Sequence, residues 1–310
     1  MFRRDEWVGT LTVVAAELVF VVGIGLLLPQ TPLVSMIGQF LPILGFALFL
    51  PALGFALLRR RWRAGGTALV ALAILALALW RFESVSAHRV AKPVVGTPFT
   101  LVSFNALSTN REGVSAIPFL LASGADAILI FEAAQFEAEL PRLQAAYPYR
   151  LGCTAPEPCD TLLLSRRPPI SSRQTWLGAV PAKRYAEFAF DLSGRRVTLV
   201  GAHLTKPYFD ELPAIERLVL SNRLRAMRGA VILAGDFNAV PWSPDLIELA
   251  TRADMRFSGF YVPTWPAGAG RFGLPIDHVL TRGAVVTSLE ALPSAFGSNH
   301  RGLLARIVIP

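Results

Sequence analysis

The chain has 310 residues, 53% of them hydrophobic, and a formal net charge of +8 at pH 7. The apolar residues are concentrated in the first 80 positions, which argues against a wholly soluble protein because a small domain could not cover that much apolar surface. Residues 81–310 hold 24 Lys and Arg against 19 Asp and Glu. This mild basic excess suits an anionic substrate or membrane surface, and no basic run interleaved with aromatic residues indicates a nucleic-acid-binding domain.

Three long apolar runs, Trp7–Leu28, Leu33–Leu58 and Ala64–Trp80, occupy the N-terminal region, and Glu17 is the only charged residue inside them. A membrane-spanning helix needs roughly 20 apolar residues. The runs therefore predict an anchor of three transmembrane helices over residues 1–82. A cleaved signal peptide is disfavoured because the first run is long and two further runs follow it.

The arginine residues predict how this anchor is oriented. Arg3 and Arg4 precede the first run, and four arginines lie between Arg59 and Arg63, whereas residues 29–32 carry no charge. The positive-inside rule then places the N-terminus and the arginine-rich loop in the cytoplasm. Three crossings would leave everything after residue 81 on the opposite side.

Residues 83–98 are polar and contain Pro93 and Pro98, so they are predicted to form a linker before a folded domain at 99–310. Hairpins alternate there with strand–helix–strand units, which predicts an α/β fold with two packed mixed β-sheets flanked by helices, a four-layer sandwich. The predicted strands are 100–104, 127–131, 160–165, 187–192, 196–201, 230–234, 278–281 and 303–309, and the predicted helices are 112–123, 134–146, 213–227 and 244–251.

The two cysteines, Cys153 and Cys159, lie in the short segment Cys-Thr-Ala-Pro-Glu-Pro-Cys. An even cysteine count in a domain outside the cytoplasm favours a disulfide. Two free thiols are the alternative. A metal-binding pair is a third reading, but no further cysteine or nearby histidine completes the ligand set.

Six short polar motifs each follow or end an apolar stretch, so each is expected at the tip of a buried strand. A cluster of Asn, Glu, Asp and His side chains at strand ends is what a metal-assisted phosphoester hydrolase needs. The chain has no Gly-rich phosphate loop, nucleophile elbow or His-Glu-x-x-His zinc pair. The motifs are Ser103-Phe104-Asn105, Phe131-Glu132, Gly201-Ala202-His203-Leu204, Gly235-Asp236-Phe237-Asn238, Ile276-Asp277-His278 and Ser298-Asn299-His300.

These motifs, in this order, resemble the endonuclease/exonuclease/phosphatase superfamily over about residues 99–310, and the N-terminal runs resemble a bacterial membrane-anchored branch of it. The resemblance implies a Mg²⁺- or Mn²⁺-dependent hydrolase in which water attacks a phosphodiester in line. Nucleic acid and lipid headgroups are both candidate substrates. It further implies a multi-pass protein of the bacterial inner membrane whose catalytic domain faces the periplasm, with the lipid bilayer as a partner and no obligate protein partner evident.

The resemblance also implies roles for individual residues. Glu132 would bind the metal, and Asn105 would add a neutral oxygen near the same ion. Asp236 would orient or deprotonate the attacking water. His203 would donate a hydrogen bond to a phosphoryl oxygen or the leaving group, and Asn238 would hold a phosphoryl oxygen or orient His203.

Asp277 is expected to orient the ring of His300, which would act as general base or contact the scissile phosphate. His278 is interpreted as structural, because adjacent residues in a strand point to opposite faces. Asn299 stands where the superfamily usually has Asp, and an amide cannot accept a proton as a carboxylate can. This departure supports an alternative: a binding or scaffold protein that keeps the fold but has weakened catalysis.

Overall fold

The computed structural model of the protein describes residues 3–29, 31–87, 94–154, 158–178, 180, 182–208 and 211–310. The helices are α1 Arg4–Leu27, α2 Pro32–Gln39, α3 Leu41–Ala47, α4 Phe49–Leu57, α5 Arg61–Val85, α6 Ile117–Ala122, α7 Leu140–Ala146, α8 Leu212–Ala226 and α9 Pro244–Ala253. Short 3₁₀ helices cover Gly113–Ala116, Ala134–Glu139 and Ala267–Phe272.

The strands form two sheets of six, and each sheet has one parallel pair among antiparallel ones. The first sheet has the order β11-β12-β1-β2-β4-β3, and the second has the order β5-β6-β7-β8-β10-β9. The strands are β1 Thr97–Asn105, β2 Ala127–Phe131, β3 Tyr149–Leu151, β4 Thr161–Ser165, β5 Ser171–Thr175, β6 Tyr185–Leu192, β7 Arg195–Ala202, β8 Ala230–Asp236, β9 Arg256–Phe257, β10 Asp277–Arg282, β11 Val285–Ala291 and β12 Leu303–Ile309.

The main core lies between the sheets, where alternate residues of β1, β2, β6, β7, β8 and β12 bury their apolar side chains. Helices α6 and α7 cover the outer face of the first sheet, and α8 and α9 cover that of the second. The two packed mixed sheets flanked by helices are therefore confirmed. Of the predicted linker at 83–98, α5 includes residues 83–85, β1 begins at Thr97, and residues 88–93 lie outside the described residues.

Strand register brings the polar motifs to one end of the two sheets. In the first sheet Asn105 pairs with Phe131, directly before Glu132, because β1 and β2 run parallel. In the second sheet Asp236 pairs with Asp277, where antiparallel β8 ends and β10 begins. Polar groups at these tips can meet in one site while the strand interiors remain apolar.

The N-terminal region differs from the expected three long helices. Helices α1 and α5 have 24 and 25 residues and are long and apolar enough to cross a membrane. The middle run is instead divided into α2, α3 and α4, with breaks at Phe40 and Leu48. Pro42 and Pro51 explain the breaks, since proline has no backbone N–H to donate to the preceding turn.

Contacts at the arginine-rich end show how these helices run. Arg60 forms a 2.9 Å salt bridge with Asp5, and Arg63 donates a hydrogen bond to Thr12. The first residues of α1 and α5 therefore lie together, and the two helices run in the same direction. Helices α3 and α4 lead back towards the arginine-rich end and pack against α5. Helix α2 lies at the end opposite the arginines, against the loop that follows β8.

Candidate active site

Asn105 links the two sheets at the centre of the site. Its Nδ2 donates to Glu132 Oε1 at 3.1 Å and to Asp236 Oδ2 at 2.9 Å. Its Oδ1 accepts a hydrogen bond from Leu107 N at 3.0 Å, and Ser298 Oγ donates to its backbone carbonyl. Asn105 is fully buried, and its two donated hydrogen bonds place the two carboxylates on either side of one nitrogen.

His300 lies between the carboxylates of Asp277 and Asp236. Its Nδ1 is 2.9 Å from Asp277 Oδ2, and its Nε2 is 3.7 Å from Asp236 Oδ2. Ser298 Oγ accepts a hydrogen bond from the His300 backbone N–H. Asp277 therefore fixes the ring with Nε2 directed at Asp236.

His203 approaches the same carboxylates from the opposite side. Its Nε2 is 3.8 Å from Asp236 Oδ2 and 3.9 Å from Glu132 Oε1. Its Nδ1 is 3.1 Å from Asp160 Oδ1, and the Arg184 guanidinium lies within 3.1 Å of both ring nitrogens. Asp160 and Arg184 thus position His203, and neither residue lies in a motif that the sequence makes recognisable.

Asn238 and Asn299 lie at the border of the site, and Asn238 reaches its central network through its backbone. Asn238 lies just after β8 with a left-handed φ of 50°, and its Nδ2 donates to Leu204 O at 2.9 Å. Its backbone N–H donates to Asp236 Oδ1 at 2.8 Å, which holds that carboxylate in place. Asn299 is an exposed residue at the rim of the cleft.

His278 lies apart from the site. It is buried between the rings of Phe237 and Phe257, and its Nε2 is 2.8 Å from the carbonyl oxygen of Ala239. Burial lowers the pKa of His278 to about 4, so its ring is neutral at physiological pH.

Cys153 and Cys159 are joined by a disulfide, with their Cα atoms 4.4 Å apart. The bridge immediately precedes Asp160, the residue that holds His203. Residues 155–157 of the enclosed loop lie outside the described residues. The cross-link therefore restricts the chain segment that delivers the Asp160 carboxylate to the site.

Negative charge dominates the electrostatics. Burial would raise the pKa of Glu132, but the hydrogen bond from Ser108 N–H, the nearby His203 and the bond from Asn105 bring it below its ordinary value. Burial and the neighbouring Asp277 carboxylate raise the pKa of Asp236. Burial alone would lower the pKa of His300, but Asp277 and Asp236 raise it to about 9.

This donor set fits a hard divalent cation. Asp236, Asp277 and His300 each offer a ligand atom within 4.8 Å of the others, but the imidazole of His300 is already paired with Asp277. Glu132 and Asp236 bring carboxylate oxygens to the same Asn105 nitrogen, and carboxylate oxygens are what Mg²⁺ prefers. Asn105 presents its nitrogen to them, so its amide would have to rotate to offer Oδ1 to the ion.

A cleft of about 290 Å³ opens over Asp236 and His300. On the other side of Glu132 lies a second cavity, which is lined by Asp160, Arg184 and His203. Lys206 and Asn238, like Glu132, border both spaces. A phosphoryl group at this junction would meet both histidines at once.

Known proteins resemble this chain in sequence and in fold. Residues 102–300 match the sequence profile of the Endonuclease/Exonuclease/phosphatase family. A UPF0294 protein of Vibrio parahaemolyticus is 27% identical over 147 residues, which are 45% of this chain and 49% of that protein. The chain therefore spans about half the length of the curated relatives it matches.

Solved structures share the fold at low identity. A humanised TDP2 from D. rerio matches with a TM-score of 0.56 and 15% identity, over 68% of this chain and 98% of that one. Sphingomyelinase C from Streptomyces griseocarneus matches with a TM-score of 0.52 and 18% identity, over 68% of this chain and 99% of that one.

His278 predicts a specific pH dependence of stability. Between pH 6.5 and about 4 the unfolded chain binds a proton at this histidine that the folded chain excludes, so the free energy of unfolding falls as the pH falls through that window. The His278→Gln variant lacks this contribution. The free energy of unfolding of the wild type minus that of the variant, measured by thermal unfolding in detergent, should fall by up to about 1.4 kcal/mol for each pH unit below 6.5. An advantage that stays constant from pH 7 to pH 4.5 would contradict the assignment.

Proposed function

The chain belongs to the Endonuclease/Exonuclease/phosphatase family, and from that premise we propose that it is a membrane-anchored, divalent-metal-dependent phosphodiesterase. The observation that carries the proposal is the convergence on Asp236. Asn105 binds its carboxylate, and His203 and His300 approach the same oxygen to within 3.8 Å and 3.7 Å. Glu132 belongs to the same group because its carboxylate accepts a hydrogen bond from the same Asn105 nitrogen.

The side chains divide the chemistry between them. Asp236, held by Asn105 and by the Asn238 backbone N–H, orients the attacking water and accepts its proton. His300 and the pair of His203 and Arg184 supply positive hydrogen-bonding groups for the phosphoryl oxygens. A divalent cation held by Glu132 and Asp236, with Asn105 beside it, would stabilise the negative charge that develops on those oxygens.

The scaffold alternative rests on Asn299. The exposed position of this residue leaves the hydrogen bonds among Asn105, Asp236, Asp277 and His300 intact. A neutral amide at the rim is therefore compatible with turnover, and this favours the enzyme over a catalytically weakened binding protein.

The full-length protein in detergent should hydrolyse bis-p-nitrophenyl phosphate with Mg²⁺ or Mn²⁺ and lose that activity in chelator. Asp236→Ala and His300→Ala should each lower kcat at least about 100-fold, since each removes a group at the reacting phosphate. Glu248→Ala, which removes an exposed carboxylate on α9, is the matched control. An inactive wild type in which Asn299→Asp restores turnover would instead support the scaffold reading.

Asp160→Asn should lower kcat by about 10-fold, because an uncharged partner holds the His203 ring less firmly. KM should change little if Asp160 acts only through His203. The control is Asp191→Asn, at an exposed residue near the end of β6 whose carboxylate accepts a hydrogen bond from the Gly194 backbone N–H. A variant that loses His203 ring order by NMR yet keeps full kcat would show that His203 has no part in the reaction.

The helix arrangement supports the proposed topology. Since α1 and α5 run in the same direction, the segment between them must return across the membrane, which the broken helices α3 and α4 do if both long helices span it. The arginine-rich end would then face the cytoplasm, and residues 99–310 would form a catalytic domain in the periplasm of a bacterial inner-membrane protein.

An alkaline phosphatase fused after residue 310 should be active, because this reporter folds only outside the cytoplasm. A reporter that works only in the cytoplasm, fused at the same point, should be silent. The opposite pair of signals would reverse the orientation. Deleting the basic side chains at Arg59–Arg63 by Ala substitution should weaken the asymmetry between the reporters.

A further inference from the structure

The cleft beside Asp236 and His300 has a second wall that the proposed chemistry does not use. Besides the polar groups, its lining is apolar: Trp265, Leu274 and Ile276 come from the segment before β10, and Met36 and Phe40 come from the N-terminal region. A phosphate needs only the polar side. The apolar side therefore requires its own explanation.

This wall is a built part of the site, because Gln39 attaches α2 to the catalytic loop. The Gln39 side chain accepts a hydrogen bond from Val240 N at 3.0 Å and donates one to Asn238 O at 3.4 Å. Its backbone carbonyl accepts from Trp242 Nε1 at 3.2 Å. Gln39 is itself only 6% exposed. The loop thus tied to α2 is the one that begins directly after Asp236.

Apolar packing adds to the hydrogen bonds that Gln39 makes between the N-terminal helices and the domain. Val240, Trp242, Leu274 and Ile276 form one buried cluster with residues of α1, α3 and α5. The apolar wall of the cleft is therefore continuous with the helices that are long enough to cross a membrane. A molecule reaching the carboxylates from the bilayer would pass along this surface.

We propose that the cleft takes a membrane lipid phosphoester, with the phosphate at Asp236 and His300 and the adjoining alkyl chain against Phe40, Met36 and Leu274. The proposal rests on the proposed phosphodiesterase function and names its substrate class. Among the described residues that line the cleft, Lys206 is the only Lys or Arg, whereas a nucleic acid requires several basic contacts along its backbone. Apolar lining with a few convergent polar groups is typical of a site for an amphiphilic ligand.

Two pairs of small molecules test the proposal on the full-length protein in a maltoside detergent. Methyl and hexyl p-nitrophenyl phosphate share a leaving group and differ only in alkyl length, and both remain monomeric. The hexyl ester should show at least a 10-fold higher kcat/KM, because its extra methylenes leave water. Hexylphosphonate should likewise bind at least 10-fold more tightly than methylphosphonate by calorimetry, a readout that needs no turnover.

Substitutions in the N-terminal region test which residues cause the preference for the hexyl ester over the methyl ester. Phe40→Gln should lower the hexyl-to-methyl ratio of kcat/KM at least fivefold, and Phe40→Leu should retain most of it. Phe46→Gln is the matched control. Phe46 lies in α3, is 64% exposed, and is not among the described residues that line the cleft. Met36→Gln, at another lining residue from the N-terminal helices, should lower the same ratio, so the test stands if the Phe40→Gln protein misfolds and loses activity on both esters.

The outcomes separate the two proposals. Hydrolysis of both esters with equal kcat/KM and equal phosphonate binding would overturn the lipid assignment and leave the phosphodiesterase standing. Chain-length-dependent phosphonate binding without hydrolysis of either ester would support the lipid site and overturn the phosphodiesterase. A dinucleotide hydrolysed with a higher kcat/KM than the hexyl ester would assign the cleft to nucleic acid instead.

Discussion

The structure depends on how it holds buried negative charge where its two sheets meet. Glu132, Asp236 and Asp277 lie close together at strand ends, and isolated carboxylates in such a place would be strongly destabilising. Asn105, His203 and His300 offset this cost with an amide and two imidazoles. A site with several acidic oxygens is suited to a divalent cation, so the charge that is costly to bury could also serve the proposed chemistry.

Holding that charge constrains the backbone as well. Glu132 and Asn238 both adopt left-handed φ angles, 52° and 50°, at the ends of β2 and β8. Gly235 also has a positive φ, and a Cβ at that position would collide with the carbonyl of Ala202 on the neighbouring strand. The end of β8 that presents Asp236 therefore needs glycine, and the close approach of β7 and β8 brings His203 to the Asp236 carboxylate.

The sequence predicts the site residues that lie in a recognisable motif at a strand end, and it does not predict Asp160 and Arg184, which stand before strands without such a motif. Asn105, Glu132 and Asp236 each end a recognisable apolar run, so their clustering was expected. Asp160 and Arg184 stand directly before β4 and β6, which are antiparallel to β2 and β7, and the start of an antiparallel strand meets the end of its neighbour. Strand direction is set by tertiary pairing, so no local pattern indicated that these two residues reach His203.

Gln39 was missed for a different reason: it lies inside an apolar run that reads as a membrane span. Pro42 interrupts this run, because it separates α2 from α3 and allows α2 to turn towards the sheets. The buried Gln39 amide forms hydrogen bonds with the loop after Asp236. The N-terminal helices are therefore packed against the candidate site and are more than a membrane attachment. A fragment lacking residues 1–90 would expose Val240, Trp242, Leu274 and Ile276 and leave that loop without its partner. The activity of this protein should therefore be assigned only from the full chain.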